Sequence, residues 1–133
     1  MKKDNKGFSL VELIIVIAIM AVLVGVLAPQ FIKYVEQSRR SRDIQTAQEI
    51  REAVLAAIAD GKVTGSSSGS VAFSTLSPSI DTISSEPKTA GNPAGVGTGY
   101  TVTYNGNTGV CEVYAGSYNL TTESGASSYK NAT

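Results

Sequence analysis

A long apolar stretch near the N-terminus constrains this chain more than any other feature. It runs from Phe8 to Ala28, and Glu12 is its single charge. This length is close to the roughly 20 residues that cross a bilayer as a helix. Most of its residues are aliphatic, and each Leu, Ile or Val favours insertion by roughly 0.3–0.6 kcal/mol at a helix centre. An acid near the end of the helix costs about 3 kcal/mol or less. We therefore expect residues 8–28 to insert into a membrane.

A short basic leader, residues 1–7, precedes the apolar stretch. It contains three lysines against one acid. Lysines beside an apolar helix favour retention of that end in the cytoplasm. We therefore expect a single-pass protein of the cytoplasmic membrane with its N-terminus inside and everything after the helix outside.

The helical pattern continues beyond the apolar stretch. Pro29 follows it and removes one backbone hydrogen bond, and Gly25 lies in the same turn, so we expect a kink here. Residues 29–60 then form an amphipathic segment that ends at Asp60-Gly61. Its apolar side chains recur every three or four residues and so share one stripe: Ile44, Ala47, Ile50, Val54 and Ile58. The sequence predicts one long kinked helix with an apolar face in its second half.

The remaining residues, 61–133, are rich in Gly, Ser and Thr. Val71–Leu76 is expected to be a short strand or a turn of helix, and Ser84–Gly99 a loop rich in Pro and Gly. Strand formers dominate Tyr100–Tyr104 and Val110–Tyr114, a turn cluster separates the two, and Tyr118–Thr122 is a candidate third strand. We predict an α+β fold in which a small antiparallel meander packs on the apolar face of the long helix.

Composition excludes several classes of function. Eleven basic residues balance eleven acidic ones, which argues against direct nucleic-acid binding. The chain has no His and a single Cys, so a His-based catalytic unit, an internal disulfide and a multi-Cys metal site are all excluded. We expect no catalytic residue, no metal and no cofactor. Cys111 is interpreted as a small buried hydrophobe, and the basic run Arg39–Arg42 as a solvated helix face paired with Glu36, Asp43 and neighbouring subunits.

The most informative stretch is Lys6-Gly7-Phe8-Ser9-Leu10-Val11-Glu12-Leu13, directly before the apolar helix. It resembles the processing site of type IV prepilins and the related pseudopilins. The resemblance implies that a prepilin peptidase cuts between Gly7 and Phe8 and then methylates Phe8. The acid five residues into the mature chain matches Glu12, and the proline that follows the apolar stretch in many pilins matches Pro29. It also implies the pilin fold of a long helix and a small sheet, and in this family the region near Gly25 and Pro29 can lose helical structure within the filament.

Glu12 has a physical reason for its position. Cleavage would leave a charged amine on Phe8, one helical turn away at i−4. A buried carboxylate is costly unless it is paired. Our hypothesis is that Glu12 is neutralised by the Phe8 amine of its own chain or of a neighbour when subunits leave the lipid. Glu12→Ala should then spare insertion and cleavage but impair assembly.

The resemblance implies a structural subunit that polymerises into a surface filament for adhesion, twitching motility or biofilm formation. Its implied partners are other pilin subunits, the prepilin peptidase, the assembly platform with its ATPase, and membrane lipid before assembly. Because many Gram-negative pilins close a C-terminal loop with a disulfide that this chain lacks, we expect a Gram-positive-like pilin whose C-terminal region is held by packing and hydrogen bonds. Alternatives are a pseudopilin of a type II secretion or DNA-uptake system, a generic signal anchor, a membrane-anchored module that never polymerises and, least favoured, an enzyme.

Overall fold

The structure is a computed structural model that describes residues 7, 9–76, 78, 80 and 99–132. Its elements in chain order are helix α1 (Leu10–Ala59), strand β1 (Val71–Ala72), helix α2 (Phe73–Leu76), strands β2 (Thr101–Asn105), β3 (Val110–Ala115) and β4 (Tyr118–Asn119), and helix α3 (Glu123–Lys130). The chain divides into two compact units, residues 1–35 and residues 36–133. A long N-terminal helix with a small antiparallel sheet confirms the predicted α+β class.

The second unit contains a four-stranded antiparallel sheet in the order β1-β2-β3-β4. Strands β2 and β3 pair from Thr101 with Tyr114 to Asn105 with Val110. The turn between them is closed by the Asn105 carboxamide oxygen, which accepts from the backbone N–H groups of Asn107 and Thr108. The predicted hairpin is therefore confirmed, and the third predicted strand is present as the two residues of β4.

The core of this unit lies between the second half of α1 and the sheet. The predicted apolar stripe is confirmed, because Ala47, Ile50 and Val54 are buried and Ile44 and Ile58 pack against the core from its edge. The facing side chains come mainly from the strands and from both short helices: Phe73, Leu76, Val102, Cys111, Val113, Ala115, Leu120 and Tyr129. Helix α1 ends at Ala59, followed by Gly61 with a positive φ of 75°, as the Asp60-Gly61 signal predicted.

Two predicted segments, residues 71–76 and residues 84–99, had different outcomes. Val71–Leu76 is both a strand and a helical turn, divided between β1 and α2. Apart from Gly99, the predicted loop Ser84–Gly99 lies outside the described residues.

Helix α3 was not predicted from the sequence, which suggested only loops and strands in this region. It is capped by Thr122, whose hydroxyl accepts from the Gly125 backbone N–H at 3.2 Å. The helix begins with an acid, Glu123, and ends with a base, Lys130, as the helix dipole favours. Tyr129 in its last turn is fully buried. The signals for this helix were therefore present in the sequence, but its many Ser and Gly residues obscured them.

Candidate functional site

The first turn of α1 contains a reciprocal pair of hydrogen bonds. The Ser9 hydroxyl accepts from the Glu12 backbone N–H at 3.2 Å, and the Glu12 carboxylate accepts from the Ser9 backbone N–H at 3.1 Å. This arrangement is a capping box, in which two N–H groups without partners inside the helix are satisfied reciprocally. It holds the Glu12 carboxylate at the positive end of the helix dipole. The signature Ser9-x-x-Glu12 was readable from the sequence, but our interpretation considered Glu12 only as a partner for an amine.

Residues around the predicted cleavage point are only partly described. Gly7 is exposed, and no atom of the described residues, apart from Gly7 itself and its chain neighbours, lies within 4 Å of the place where a Cβ would be. Phe8 and residues 1–6 lie outside the described residues. Cleavage between Gly7 and Phe8, methylation of Phe8 and pairing of its amine with Glu12 therefore stay predictions.

The first half of α1 is apolar around its whole circumference. Its large side chains from Leu10 to Tyr34 are at least half exposed, between 50% and 73%. A helix that is hydrophobic all round is normally buried in lipid or in protein. By length and composition alone, α1 contains a segment that is suited to cross a membrane, and no residue of that segment is buried within the chain. This surface therefore needs an apolar environment that the described part of the chain does not supply.

Helix α1 continues without a break through Gly25 and Pro29. Proline has no backbone N–H, so the carbonyl of Gly25, four residues earlier, lacks its usual helical donor. Gly25 also has open space where a side chain would be. The kink and the loss of helix in a filament stay predictions, and both residues are placed where a local weakness in α1 is expected.

The basic run Arg39–Arg42 differs from its interpretation as a solvated face. Arg39 and Arg42 are exposed, but Arg40 is only 7% exposed. Its guanidinium pairs with Glu36 at 2.9 Å and donates to the carbonyls of Tyr129, Lys130 and Ala132 at the end of α3. The predicted pairing with Glu36 is confirmed for Arg40. The expectation that Arg40 is solvated was wrong, because terminal helix carbonyls have no partners within their own helix and attract a cation.

Asp43, which was expected to pair with this basic run on a solvated face, is instead buried and only 1% exposed. Its carboxylate accepts hydrogen bonds from the buried hydroxyls of Tyr129 and Tyr100. Burial, with the nearby Asp43 charge, raises the pKa of both tyrosines well above the ordinary range. Together Arg40 and Asp43 fasten α3 to α1, so the C-terminal region is held by hydrogen bonds and packing.

Cys111 is a buried free thiol in β3, as predicted. Burial raises the pKa of its thiol to about 11, which makes the reactive thiolate rare at neutral pH. Among the residues that the structure describes, no three His, Cys, Asp or Glu side chains lie close enough together to hold a metal ion.

Comparison with known proteins shows which proteins share these features. The family profile described as "Prokaryotic N-terminal methylation motif" matches residues 2–28, which include Gly7, Phe8 and Glu12. The type IV major fimbrial protein FimA of Dichelobacter nodosus is 38% identical over 65 residues, covering 49% of this chain and 42% of that protein. By this motif and by this similarity, the chain resembles type IV pilins.

Further relatives agree with this assignment. A fimbrial protein of Pseudomonas aeruginosa is 35% identical over 60 residues, covering 45% of this chain and 39% of that protein. The type IV narrow pilus major component PilA5 of Thermus thermophilus is 37% identical over 57 residues, covering 43% and 49%. The match therefore spans less than half the length of each of these relatives. No solved structure matches the chain significantly.

Proposed function

We propose that this chain is a structural subunit of a type IV pilus, which polymerises through residues 8–28 into a surface filament. The observation that carries the proposal is the coincidence of two features in one segment. The methylation motif covers residues 2–28, and every large hydrophobic side chain of α1 in that range is exposed. Lipid before assembly and neighbouring copies after assembly would each supply the missing apolar environment. Residues 61–133, with the amphipathic part of α1, would form the outer surface.

Processing is the first step of the proposed pathway. Prepilin peptidase removes residues 1–7 by cleavage after Gly7 and methylates the amine of Phe8. The motif match and the position of Gly7, exposed and three residues before the start of α1, support this step. The precursor is a single-pass protein of the cytoplasmic membrane with its N-terminus inside, and the mature pilin is extracellular.

Assembly is the second step, and Glu12 is its proposed key residue. In the described chain one carboxylate oxygen of Glu12 accepts from the Ser9 N–H. A carboxylate has further acceptor sites, so the capping box and a salt bridge to the Phe8 amine are compatible. The pairing would remove an uncompensated charge from an apolar filament core. The assembly platform and its ATPase are the further partners of this step.

The pilus is favoured over the alternatives by the named relatives, which are fimbrial and pilus components. A pseudopilin of a secretion or DNA-uptake system shares the processing and the fold, and no described feature favours it. The relatives are structural proteins, and we propose that this chain has no enzymatic activity.

The direct test compares cells that express the chain with matched deletion cells. Surface material is sheared off, imaged by electron microscopy and labelled with an antibody against residues 99–132. The proposal predicts labelled filaments that disappear with the deletion. Membrane-bound protein without labelled filaments, under conditions in which the cells make pili, would contradict it.

Substitutions at Glu12 separate its two roles. Gln retains the capping box, because an amide oxygen also accepts from the Ser9 N–H, but it cannot neutralise an amine. We expect Glu12→Gln and Glu12→Ala to insert and be cleaved normally, as judged by immunoblot of membranes, and both to lose filaments. If Glu12→Gln assembles like the wild type while Glu12→Ala does not, then capping rather than charge pairing is the contribution of Glu12.

A further inference from the structure

Four exposed charges lie on α1 within the second unit in an unusual arrangement. Arg39 and Arg42 are three residues apart, and so are Glu49 and Glu52. Residues three apart are neighbours on a helix surface, and like charges at neighbouring positions destabilise an isolated helix. Each pair therefore combines two charges that repel each other within the subunit.

Helix geometry keeps the two pairs apart within one chain. Arg39 and Glu49 differ by ten residues, as do Arg42 and Glu52, which is about 15 Å along the axis. This separation far exceeds salt-bridge distance. The same helix shows how an internal ion pair is made: Glu36 and Arg40, four residues apart, bind each other at 2.9 Å. The arrangement of the four exposed charges does not follow that pattern.

A second copy of the chain can place opposite charges next to both pairs at once. Because the offset is ten residues in each case, a single axial shift of a parallel copy by about 15 Å brings Arg39 opposite Glu49 and Arg42 opposite Glu52. Ten residues also correspond to a rotation of about 80° away from complete turns, so the basic and acidic pairs face different directions. Two different surfaces on one subunit make a head-to-tail contact, which generates open helical filaments rather than closed dimers.

We propose that Arg39 and Arg42 of one subunit bind Glu49 and Glu52 of the next subunit, and that this contact sets the axial register between neighbouring copies. The inference rests on the proposed function as a polymerising subunit. The basic pair and the acidic pair are complementary in charge, and this is why we infer that a second copy of the chain binds this surface.

Charge reversal tests the contact. In cells making the full-length chain, we expect Arg42→Glu and Glu52→Arg each to reduce sheared filament mass about tenfold, because attraction becomes repulsion in every contact. The double variant Arg42→Glu/Glu52→Arg restores the opposite charges and should return filament mass to within about twofold of the wild type. The corresponding set at Arg39 and Glu49 gives an independent repeat. Asp60→Arg reverses an exposed charge just after the end of α1, outside both pairs, and should leave filament mass unchanged.

The level of each variant in the membrane fraction separates assembly from folding. Single variants that accumulate normally but assemble poorly, with rescue in the double variant, support the contact. Single variants that assemble like the wild type, or double variants no better than the singles at equal membrane level, overturn it. Absence of filaments from the wild type would instead contradict the proposed function.

Discussion

Substitution of Asp43 by Ala should destabilise the second unit more than any exposed substitution on α1. It removes the carboxylate that accepts from the buried hydroxyls of Tyr129 and Tyr100, although the Tyr100 hydroxyl keeps the Asp43 backbone carbonyl as an acceptor at 3.4 Å. A buried hydroxyl left without a partner costs about 1–3 kcal/mol. The Tyr100 bond is long, at 3.5 Å, and its hydroxyl keeps a backbone acceptor, so the loss of the Tyr129 bond accounts for most of the cost. We therefore expect a loss of about 1–3 kcal/mol in the free energy of unfolding.

The assay is urea unfolding of the full-length chain in a mild detergent. The chain has no Trp and six Tyr, so near-ultraviolet circular dichroism reports tyrosine packing without interference from indole. Glu49→Ala is the matched control, because it removes an exposed acid from the same helix and should change stability by about 0.5 kcal/mol or less. A double-mutant cycle with Tyr129→Phe isolates the Asp43–Tyr129 bond and should give a coupling of about 1 kcal/mol or more.

Two results would refute this reasoning. One is a loss of stability for Asp43→Ala that is no greater than the loss for Glu49→Ala. The other is strict additivity between Asp43→Ala and Tyr129→Phe, because residues joined by a buried hydrogen bond should couple. Either result would mean that the Asp43–Tyr129 bond contributes little, and that packing and the Arg40 hydrogen bonds hold α3 against α1.

Further predictions follow from the same unit. Burial raises the pKa of the Cys111 thiol from 9.0 to about 11. Alkylation of this thiol near pH 8 should therefore be about 100-fold slower in the folded protein than in the protein unfolded by urea. Equal alkylation rates in the two states would contradict the burial of Cys111. The pKa values of Tyr100 and Tyr129 are raised in the folded state above the ordinary tyrosine value of 10.0. Above about pH 10, the unfolded state therefore releases these two protons readily, whereas the folded state retains them. Stability should therefore be full below about pH 10 and fall as the pH rises further. Urea unfolding at stepped pH measures this, and a flat profile would be inconsistent with it.

The elements of the fold that follow a regular periodicity were predictable from the sequence. The apolar stretch identifies the first half of α1. The stripe from Ile44 to Ile58 and the alternation in β2 and β3 each identify an element and the face that it buries. Helix α3 was missed because its eight residues include three Ser and one Gly, and because its stability depends on Tyr129 entering a core formed by distant segments. Tertiary contacts of this kind have no local signal.

The features of the candidate site were predictable where the interacting residues are close together in the sequence. The string from Gly7 to Glu12 identified the processing motif, and the same string contained the Ser9–Glu12 capping box, which was overlooked. The burial of Arg40 and Asp43 was not predictable, because their partners lie about 90 residues away along the chain. A charged residue on a helix is predicted to be exposed by default, and its burial becomes evident only when the element that covers it is known.

The most direct test of the central claim is the mass of the intact subunit recovered from sheared, purified filaments, with sequencing of its first residues. The account predicts a chain that lacks Met1 to Gly7 and begins at a methylated Phe8. Filament material that retains the seven-residue leader, or a chain with an unmodified internal start elsewhere, would contradict it.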